Sequence, residues 1–192
     1  MPQFYLMRHG HSQANAQDLI VSDPAVGIKL YGLTEQGRAE VERSIANSSL
    51  GAETIVVCSD FKRTQETASL VVQHLKSAPA QLEAGLRERF FGRLEGSSGG
   101  LYREVWARDS QDPDHDHHGA ESPRQLALRL SRTLEKLTHQ HAQAQEVLLV
   151  SHGDTLRFLQ LVANDLPLTD HMKISHFQPA EIRRLDEIKL TV

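Results

Sequence analysis

The chain contains 192 residues, of which 39% are hydrophobic and 24% charged, and its formal net charge is −4. This length fits one domain with a substantial core, and we interpret residues 1–192 as a single domain. The acidic balance argues against a nucleic acid or an anionic membrane as partner, so a bound anion would need a local cluster of basic side chains.

The cysteine content and the N-terminus bear on the compartment. Cys58 is the only cysteine, so it cannot form an internal disulfide, and a buried thiol fits a reducing environment. Residues 1–4 lack a basic start followed by an apolar stretch, and no segment reaches the roughly 18 apolar residues that span a bilayer. We therefore expect a cytoplasmic protein.

The first third of the chain predicts two strands with a helix between them. A short apolar run over residues 4–7 is typical of a strand covered on both faces. Thr34, followed by Glu35, predicts the start of a helix that runs toward Ile45. A second buried strand is predicted over residues 54–58.

The same alternation continues through the rest of the chain. Apolar residues at helical spacing predict a helix over about residues 62–76, with Asp60 as its candidate N-cap. Ser122, followed by Pro123, predicts the start of a second amphipathic helix. A third strand is predicted over residues 147–150.

The last predicted helix opens at Asp154 or Thr155. Residues 97–119 are the least regular part of the chain, and we expect loops and short helices there, above the sheet. Alternating strands and helices predict an α/β fold, a three-layer sandwich in which helices flank a mainly parallel sheet. Ligands of such sheets bind beyond the carboxyl ends of the strands.

Basic side chains and histidines follow the predicted strands. Arg8 and His9 come directly after the first strand, and His152 follows the late one. Arg63 lies in the first turn of the helix after the second strand, where unpaired N–H groups favour an anion. If the strands are parallel, these side chains meet at one edge of the sheet. Two guanidinium groups can then hold a phosphoryl group without a metal.

A phosphoryl-transfer reaction at this edge also needs a nucleophile and an acid. A histidine beside two cations tends to stay neutral, which suits His9 as nucleophile. Glu88, after a predicted strand and beside Phe90 and Phe91, is the candidate acid, because partial desolvation would raise its pKa. Three other carboxylates remain alternatives for that role: Glu83, Glu95 and Glu121.

Taken together, the motifs resemble the histidine phosphatase superfamily, the phosphoglycerate mutase-like group, over nearly the whole chain. The similarity lies in Arg8-His9-Gly10 with Ser12 and Asn15, and in residues 33–37, 59–68, 86–96, 119–122 and 151–153. Any one motif is weak evidence, whereas their order and spacing together are specific.

The resemblance implies a two-step reaction on a phosphate monoester. His9 would be phosphorylated, Arg8, Arg63 and His152 would form the phosphate pocket, and Glu88 would protonate the leaving group. Water would then attack the phosphohistidine with Glu88 as base. No metal and no organic cofactor is expected.

Ser12 and Asn15 would be supporting substrate contacts, although both can also simply shape the turn after the strand. The expected partner is a small-molecule phosphate ester, with a phosphoprotein as an alternative, and the sequence sets no oligomeric state. Specificity is expected in residues 17–31 and 97–119. Four arginines are candidates for contacting a second anionic group, or for a solvated basic face: Arg87, Arg89, Arg93 and Arg103.

Two other functions stay open. One is a phosphomutase, which would return the phosphoryl group to bound substrate; the other is a non-catalytic module that binds a phosphorylated ligand or a protein. We favour hydrolysis, because family mutases are longer and carry a tryptophan near the segment that residues 26–32 occupy here.

Two further patterns are interpreted as decoys. Ser98 lies in a G-x-S-x-G pattern, but no apolar strand precedes it, as a serine hydrolase would require. The Asp- and His-rich stretch 114–118 lacks the spacing typical of a metal site, and we predict a solvated loop.

Overall fold

A five-stranded sheet organises the computed structural model, which describes residues 2–190. The strand order is β3-β2-β4-β1-β5, and only β5 is antiparallel to its neighbour β1 among the described strands. The strands are β1 (Gln3–Arg8), β2 (Ile55–Cys58), β3 (Gln81–Leu82), β4 (Glu146–Ser151) and β5 (Ile182–Arg184). The three strands predicted with bounds are the central ones, β3 is the strand expected before Glu88, and β5 was not predicted.

Helices cover both faces of the sheet. They are α1 (Gln13–Ala16), α2 (Pro24–Gly27), α3 (Glu35–Ala46), α4 (Lys62–Leu75), α5 (Tyr102–Asp109), α6 (Pro123–Gln140) and α7 (Gly153–Ala163). Short 3-10 turns occupy much of the chain between β3 and α6. Across residues 2–190, none of these helices is both long and apolar enough to cross a bilayer.

The two core layers follow from the alternation of side chains along each strand. In β4, Val147 and Leu149 pack with helices α6 and α7, whereas Leu148 and Val150 pack with α3 and α4. All four side chains are fully buried, and each contributes roughly 1.5–3 kcal/mol of hydrophobic stabilisation. The predicted three-layer α/β architecture is confirmed.

Two helix starts agree with the sequence, and two differ. The side chains of Thr34 and Ser122 cap α3 and α6 as predicted. The predicted cap Asp60 is wrong: Phe61 holds the N-cap position of α4, and the Asp60 carboxylate instead accepts hydrogen bonds from Arg87. The last helix, α7, begins at Gly153, ahead of the predicted start.

The irregular segment 97–119 contains the helix α5 and 3-10 turns, as expected. A small apolar cluster attaches this region to the rest of the protein. Its buried members are Ile20, Phe91, Leu94, Val105 and Ala120. Since Val105 lies on α5, this cluster holds α5 in place near the carboxyl end of the sheet.

The close packing of α3 against the loop after β1 makes Gly37 sensitive to substitution. A Cβ atom on Gly37 would collide with the main chain of His11. We expect Gly37→Ala to lower the free energy of unfolding by about 1–3 kcal/mol, because main-chain atoms cannot yield as a flexible side chain would. Urea denaturation should show this loss. The exposed Glu42→Ala on the same helix should change stability far less, and equal effects would contradict the prediction.

Candidate active site

Arg8, His9, Arg63 and His152 come together at the carboxyl ends of the central strands. β1 and β4 are parallel with Arg8 opposite Ser151, so His9 and His152 leave the sheet side by side. Their ring centroids are 5.3 Å apart. The Arg63 Nε atom lies 3.1 Å from His9 Nε2, and its Nη2 atom lies 2.9 Å from His152 Nδ1. The predicted convergence is present in the structure.

The environment of His9 defines its protonation state. Its Nδ1 atom lies 2.8 Å from the carbonyl oxygen of Gly10, to which only a protonated Nδ1 can donate. The Nε2 lone pair then accepts from Arg63. Burial, and after it the charges of Arg63 and Arg8, hold the pKa of His9 well below its usual value. His9 is therefore a neutral imidazole whose free lone pair lies on Nε2.

The two guanidinium groups keep buried donors that have no partner among residues 2–190. Arg8 Nη1 donates to the carbonyl oxygen of Phe177 at 2.7 Å, while its Nε is unpaired. Arg63 Nη2 donates to the carbonyl oxygen of Val21 at 3.0 Å, while its Nη1 is unpaired. Unsatisfied buried donors are rare in proteins, and here they belong to two cations beside a neutral histidine. The pair is suited to bind an anion with phosphate-like oxygens.

His152 acts on this cluster through Arg63. Its Nδ1 accepts from Arg63, so its Nε2 donates to the Ser59 hydroxyl at 3.0 Å. Burial first, and then the charge of Arg63, hold the pKa of His152 well below its usual value. Both ring nitrogens are thus used within the protein, and in this structure His152 orients the guanidinium of Arg63.

Glu88 lines the same cavity as His9, Arg8 and Arg63. Its Oε1 atom accepts from the Arg89 amide and from the Thr155 hydroxyl, both at 3.1 Å. Burial, reinforced by the charge of Asp154, raises the pKa of Glu88. A carboxyl group with a raised pKa stays protonated at higher pH, which suits a general acid.

The alternative acids are all engaged elsewhere. Glu83 caps a 3-10 turn and pairs with Lys136, Glu95 accepts from the main chain of residues 22 and 23, and Glu121 pairs with Arg129. Within the described chain, none of the three lines the cavity that holds His9. Glu88 is therefore the best placed of the four candidates.

Comparison with known proteins identifies the family of this chain. Residues 4–189 match the family described as the histidine phosphatase superfamily, branch 1. The chain belongs to this superfamily.

Relatives of this histidine phosphatase superfamily member include mutases and phosphatases. A 2,3-bisphosphoglycerate-dependent phosphoglycerate mutase from Bradyrhizobium diazoefficiens is 30% identical over 173 residues, covering 84% of this chain and 80% of the mutase. A broad-specificity phosphatase of Saccharomyces cerevisiae is 25% identical over 161 residues, covering 82% of this chain and 68% of the phosphatase.

Solved structures share the fold. A protein described as mycobacterial hydrolase 1 superposes with a TM-score of 0.80 at 19% identity, covering 95% of this chain and 87% of that one. A mycobacterial glucosyl-3-phosphoglycerate phosphatase superposes with a TM-score of 0.77 at 19% identity, covering 99% of this chain and 96% of that one.

Ser12 and Asn15 line the cavity of this histidine phosphatase superfamily member, and they also bond to each other. The backbone N–H of Ser12 donates to Asn15 Oδ1 at 3.0 Å, and the backbone N–H of Asn15 donates to the Ser12 hydroxyl at 3.3 Å. This reciprocal pair caps α1 and fixes the turn after His9. Contact with substrate stays a prediction for both residues.

Sequence reasoning missed part of the cavity wall. Besides the predicted residues, Asp18, Tyr102, Trp106, Asp154 and His176 line the cavity. The aromatic pair at positions 102 and 106, one helical turn apart in a polar segment, is the one signal that could have indicated a helix facing the site. The others lie where only tertiary structure brings them to the cavity.

The four arginines proposed to contact a second anionic group do not reach the cavity. Arg87 pairs with Asp60, and Arg89 is fully buried against Asp109. Arg93 and Arg103 are exposed. Across residues 2–190, none of the four lines the cavity with His9, so the structure gives them no role in holding a second anion there.

The Ser98 pattern behaves as interpreted, whereas the stretch 114–118 contributes His117 and His118 to a group with Glu104 whose ligand atoms lie within 4.8 Å of one another and could hold a metal ion. Ser98 is exposed and caps a 3-10 turn, so it is not the nucleophile of a strand-to-helix elbow. The stretch 114–118 is a loop that ends in a 3-10 turn, and in it His115 Nε2 lies 2.6 Å from Asp109 Oδ1.

The buried Arg89–Asp109 pair ties α5 to the core beside the site. The Arg89 guanidinium bonds both Asp109 carboxylate oxygens, at 2.7 and 2.8 Å, and both side chains are fully buried. We expect Asp109→Ala to lower the free energy of unfolding by about 3–5 kcal/mol, because it leaves a buried guanidinium without its main counter-charge. Chemical denaturation measures the loss. The exposed Asp116→Ala is the control, and a similar small effect in both variants would contradict the prediction.

Proposed function

We propose that this protein hydrolyses phosphate monoesters through a phosphohistidine formed on His9. The observation that carries the proposal is the neutral Nε2 of His9, which faces one cavity with the unpaired donors of Arg8 and Arg63 and with the carboxyl group of Glu88. These are the parts of a nucleophilic phosphoryl transfer: a nucleophile, cations for the phosphoryl oxygens and an acid for the leaving group.

In the first step the ester phosphate binds to Arg8 and Arg63. In the structure, Arg63 Nε donates a hydrogen bond to the lone pair of His9 Nε2. When the Arg63 donors bind the phosphoryl oxygens instead, this lone pair becomes free. His9 Nε2 then attacks phosphorus in line with the leaving oxygen. The N–P bond forms, the P–O bond to the alcohol breaks, and Glu88 donates its proton to the departing alkoxide.

In the second step the ionised Glu88 takes a proton from water. The resulting hydroxide attacks phosphorus, the N–P bond breaks, and its electron pair returns to His9 Nε2. Inorganic phosphate leaves, and Glu88 is again protonated. The raised pKa of Glu88 serves the first step, since its protonated form then persists to higher pH than that of an ordinary carboxyl group.

A phosphomutase of the kind named among the relatives is the second candidate, favoured by 30% identity to such an enzyme. The compound in that name carries two phosphate groups on a glycerate, so a mutase must hold further anionic groups beside the one that is transferred. Among the residues described, Arg8 and Arg63 are the only arginine or lysine side chains that line the cavity. This shortage of cations supports hydrolysis.

The proposal is tested by trapping the intermediate. The protein is incubated with p-nitrophenyl phosphate in the presence of a chelator, quenched, and mapped by mass spectrometry under conditions that preserve phosphohistidine. We expect release of p-nitrophenol and inorganic phosphate, with one phosphoryl group on His9. Label on another residue, or turnover without a covalent intermediate, would contradict the mechanism.

The mutase is tested with the same preparation. The protein is supplied with 3-phosphoglycerate and a catalytic amount of 2,3-bisphosphoglycerate, and the products are resolved by ³¹P NMR. Accumulation of 2-phosphoglycerate faster than inorganic phosphate would favour the mutase, whereas phosphate as the main product supports hydrolysis.

A further inference from the structure

The cavity of about 200 Å³ extends beyond the phosphate-binding end. Besides Arg8, His9, Arg63 and Glu88, its lining includes what we name the outer wall, which consists of five side chains: Asn15, Asp18, Tyr102, Trp106 and His176. The alcohol part of a bound ester has to lie against this wall, because the guanidinium groups hold its phosphate. The chemistry of the outer wall therefore selects the alcohol.

The outer wall carries no positive charge within the described chain. His176 Nε2 lies 3.1 Å from Arg157 Nη1 and accepts its hydrogen bond. Partial desolvation, and then the charge of Arg157, lower the pKa of His176 to about 4, which favours the neutral imidazole although the residue is exposed to solvent. No lysine or arginine among residues 2–190 faces the cavity from this wall.

Asp18 adds an exposed carboxylate to the lining of the cavity. The Asp18 backbone adopts a positive φ of 52°, and its carbonyl oxygen accepts from the Gly99 amide at 2.9 Å. Its carboxylate accepts from the Ser98 hydroxyl, which fixes the orientation of the side chain. A carboxylate here accepts hydrogen bonds from hydroxyl groups and repels a second anionic group of a ligand.

Two stacked rings form the rigid part of the outer wall. Tyr102 and Trp106 lie with their centroids 5.3 Å apart and their planes 7° from parallel, and Phe91 supports Tyr102 edge-on at 4.6 Å. Burial raises the pKa of Tyr102, so its hydroxyl stays protonated. The Trp106 indole N–H is buried and has no partner among the described residues. Such a surface offers apolar contact together with hydrogen-bond donors.

We propose that the outer wall binds an uncharged, hydroxyl-bearing alcohol, so that the preferred substrate is a polyol or sugar phosphate whose phosphate is its only anionic group. This inference rests on the proposed function, because it assumes that the phosphate lies against His9. Asp18 accepts from the hydroxyl groups of the alcohol, and Tyr102 and Trp106 contact its carbon skeleton. A carboxylate in place of a terminal hydroxymethyl group is disfavoured, since it meets Asp18 and no cation.

The test compares esters that differ only in that terminal group. The three-carbon pair is glycerol 3-phosphate and 3-phosphoglycerate, and the six-carbon pair is sorbitol 6-phosphate and 6-phosphogluconate. Each ester is measured as a substrate, by kcat/KM, and as a competitive inhibitor of p-nitrophenyl phosphate hydrolysis, by its inhibition constant. The inhibition constant does not depend on the acidity of the leaving alcohol. We expect the uncharged member to be preferred by about fivefold or more in at least one pair.

The variant Asp18→Asn, which removes a carboxylate from the outer wall, tests whether this wall causes the preference for the uncharged ester. Asn tolerates a positive φ better than most residues, so Asp18→Asn keeps the local backbone. This variant should reduce the preference for the uncharged ester severalfold. Glu53→Gln removes an exposed carboxylate before β2, at the opposite end of the sheet, and should leave the preference unchanged.

The outcomes separate this inference from the proposed function. Equal or reversed preference in both pairs, with p-nitrophenyl phosphate hydrolysed, would overturn the inference and leave the phosphatase intact. An unaltered preference in Asp18→Asn would also overturn it. If no ester is hydrolysed, the proposed function fails. The inference is then tested by the dissociation constants of the four esters, measured by calorimetry, and it requires that the uncharged member of at least one pair bind about fivefold more tightly.

Discussion

Replacing His9 with alanine is expected to lower kcat for p-nitrophenyl phosphate by about 10⁴-fold or more, since the nucleophile that forms the covalent intermediate is lost. Arg63 and Glu88 remain in the variant, but neither can form the N–P bond. The variant should retain affinity for inorganic phosphate, because the unpaired donors of Arg8 and Arg63 do not depend on the imidazole. Steady-state kinetics and phosphate binding by calorimetry measure the two properties separately.

His74→Ala provides the matched control for this variant. His74 is exposed in the last turn of α4, so its removal should leave kcat and the free energy of unfolding nearly unchanged. Circular dichroism should show the same fold in both variants. Comparable turnover by His9→Ala and wild type would exclude a phosphohistidine at position 9, whatever the protein binds.

The central strands and the convergence of His9 with His152 could be predicted because local patterns encode them. Val147–Val150 is apolar on both faces, and parallel pairing then forces His152 to emerge beside His9. The helix starts at Thr34 and Ser122 were predicted for a similar reason. A capping side chain accepts a hydrogen bond from a backbone N–H only three residues later in the chain.

Asn15 was predicted at the site, and Asp18, Tyr102 and Trp106 fall in the segments 17–31 and 97–119 that were expected to set specificity. His176 could not be predicted, because long-range packing brings it to the cavity. His176 reaches the cavity through its bond to Arg157, and these residues lie 19 positions apart in segments without a shared pattern. Asp60 was wrongly predicted for the same reason. Its position in the sequence is typical of an N-cap, yet its carboxylate accepts a hydrogen bond from Arg87, 27 positions away. The edge strand β5 was missed because three residues carry too little periodicity to indicate a strand.

Glu88→Gln is expected to separate esters by the acidity of their leaving groups. An alkoxide needs a proton as it departs, so kcat/KM for an alkyl phosphate such as glycerol 3-phosphate should fall by about 10²–10⁴-fold. The p-nitrophenolate ion leaves without a proton, and kcat/KM for its ester should change little. The amide oxygen of glutamine can still accept from Arg89 and Thr155, so the side chain should keep its position.

The parameter kcat/KM is essential to this comparison. It reports steps up to the first irreversible one, which is phosphoryl transfer to His9, and therefore excludes the later step in which Glu88 acts as base. Loss of that base should instead appear in kcat with p-nitrophenyl phosphate, as a burst of p-nitrophenol followed by slow turnover and accumulation of phosphohistidine. Glu121→Gln, in a carboxylate paired with Arg129, should show neither effect. Equal loss of kcat/KM on both esters in Glu88→Gln would assign the acid role to another residue.

The pH dependence of kcat/KM independently tests the role of Glu88 as the general acid. Because burial raises the pKa of Glu88, its protonated form persists above the usual carboxyl range and is lost as the pH rises through the raised value. In the wild type, kcat/KM for the alkyl ester should therefore decline on the alkaline side relative to the aryl ester, and Glu88→Gln should abolish that difference. On the acid side His9 stays neutral well below its usual pKa, so both esters should remain substrates there. An alkaline decline that persists in Glu88→Gln would point to a different titrating acid, since glutamine has no proton to lose in this range.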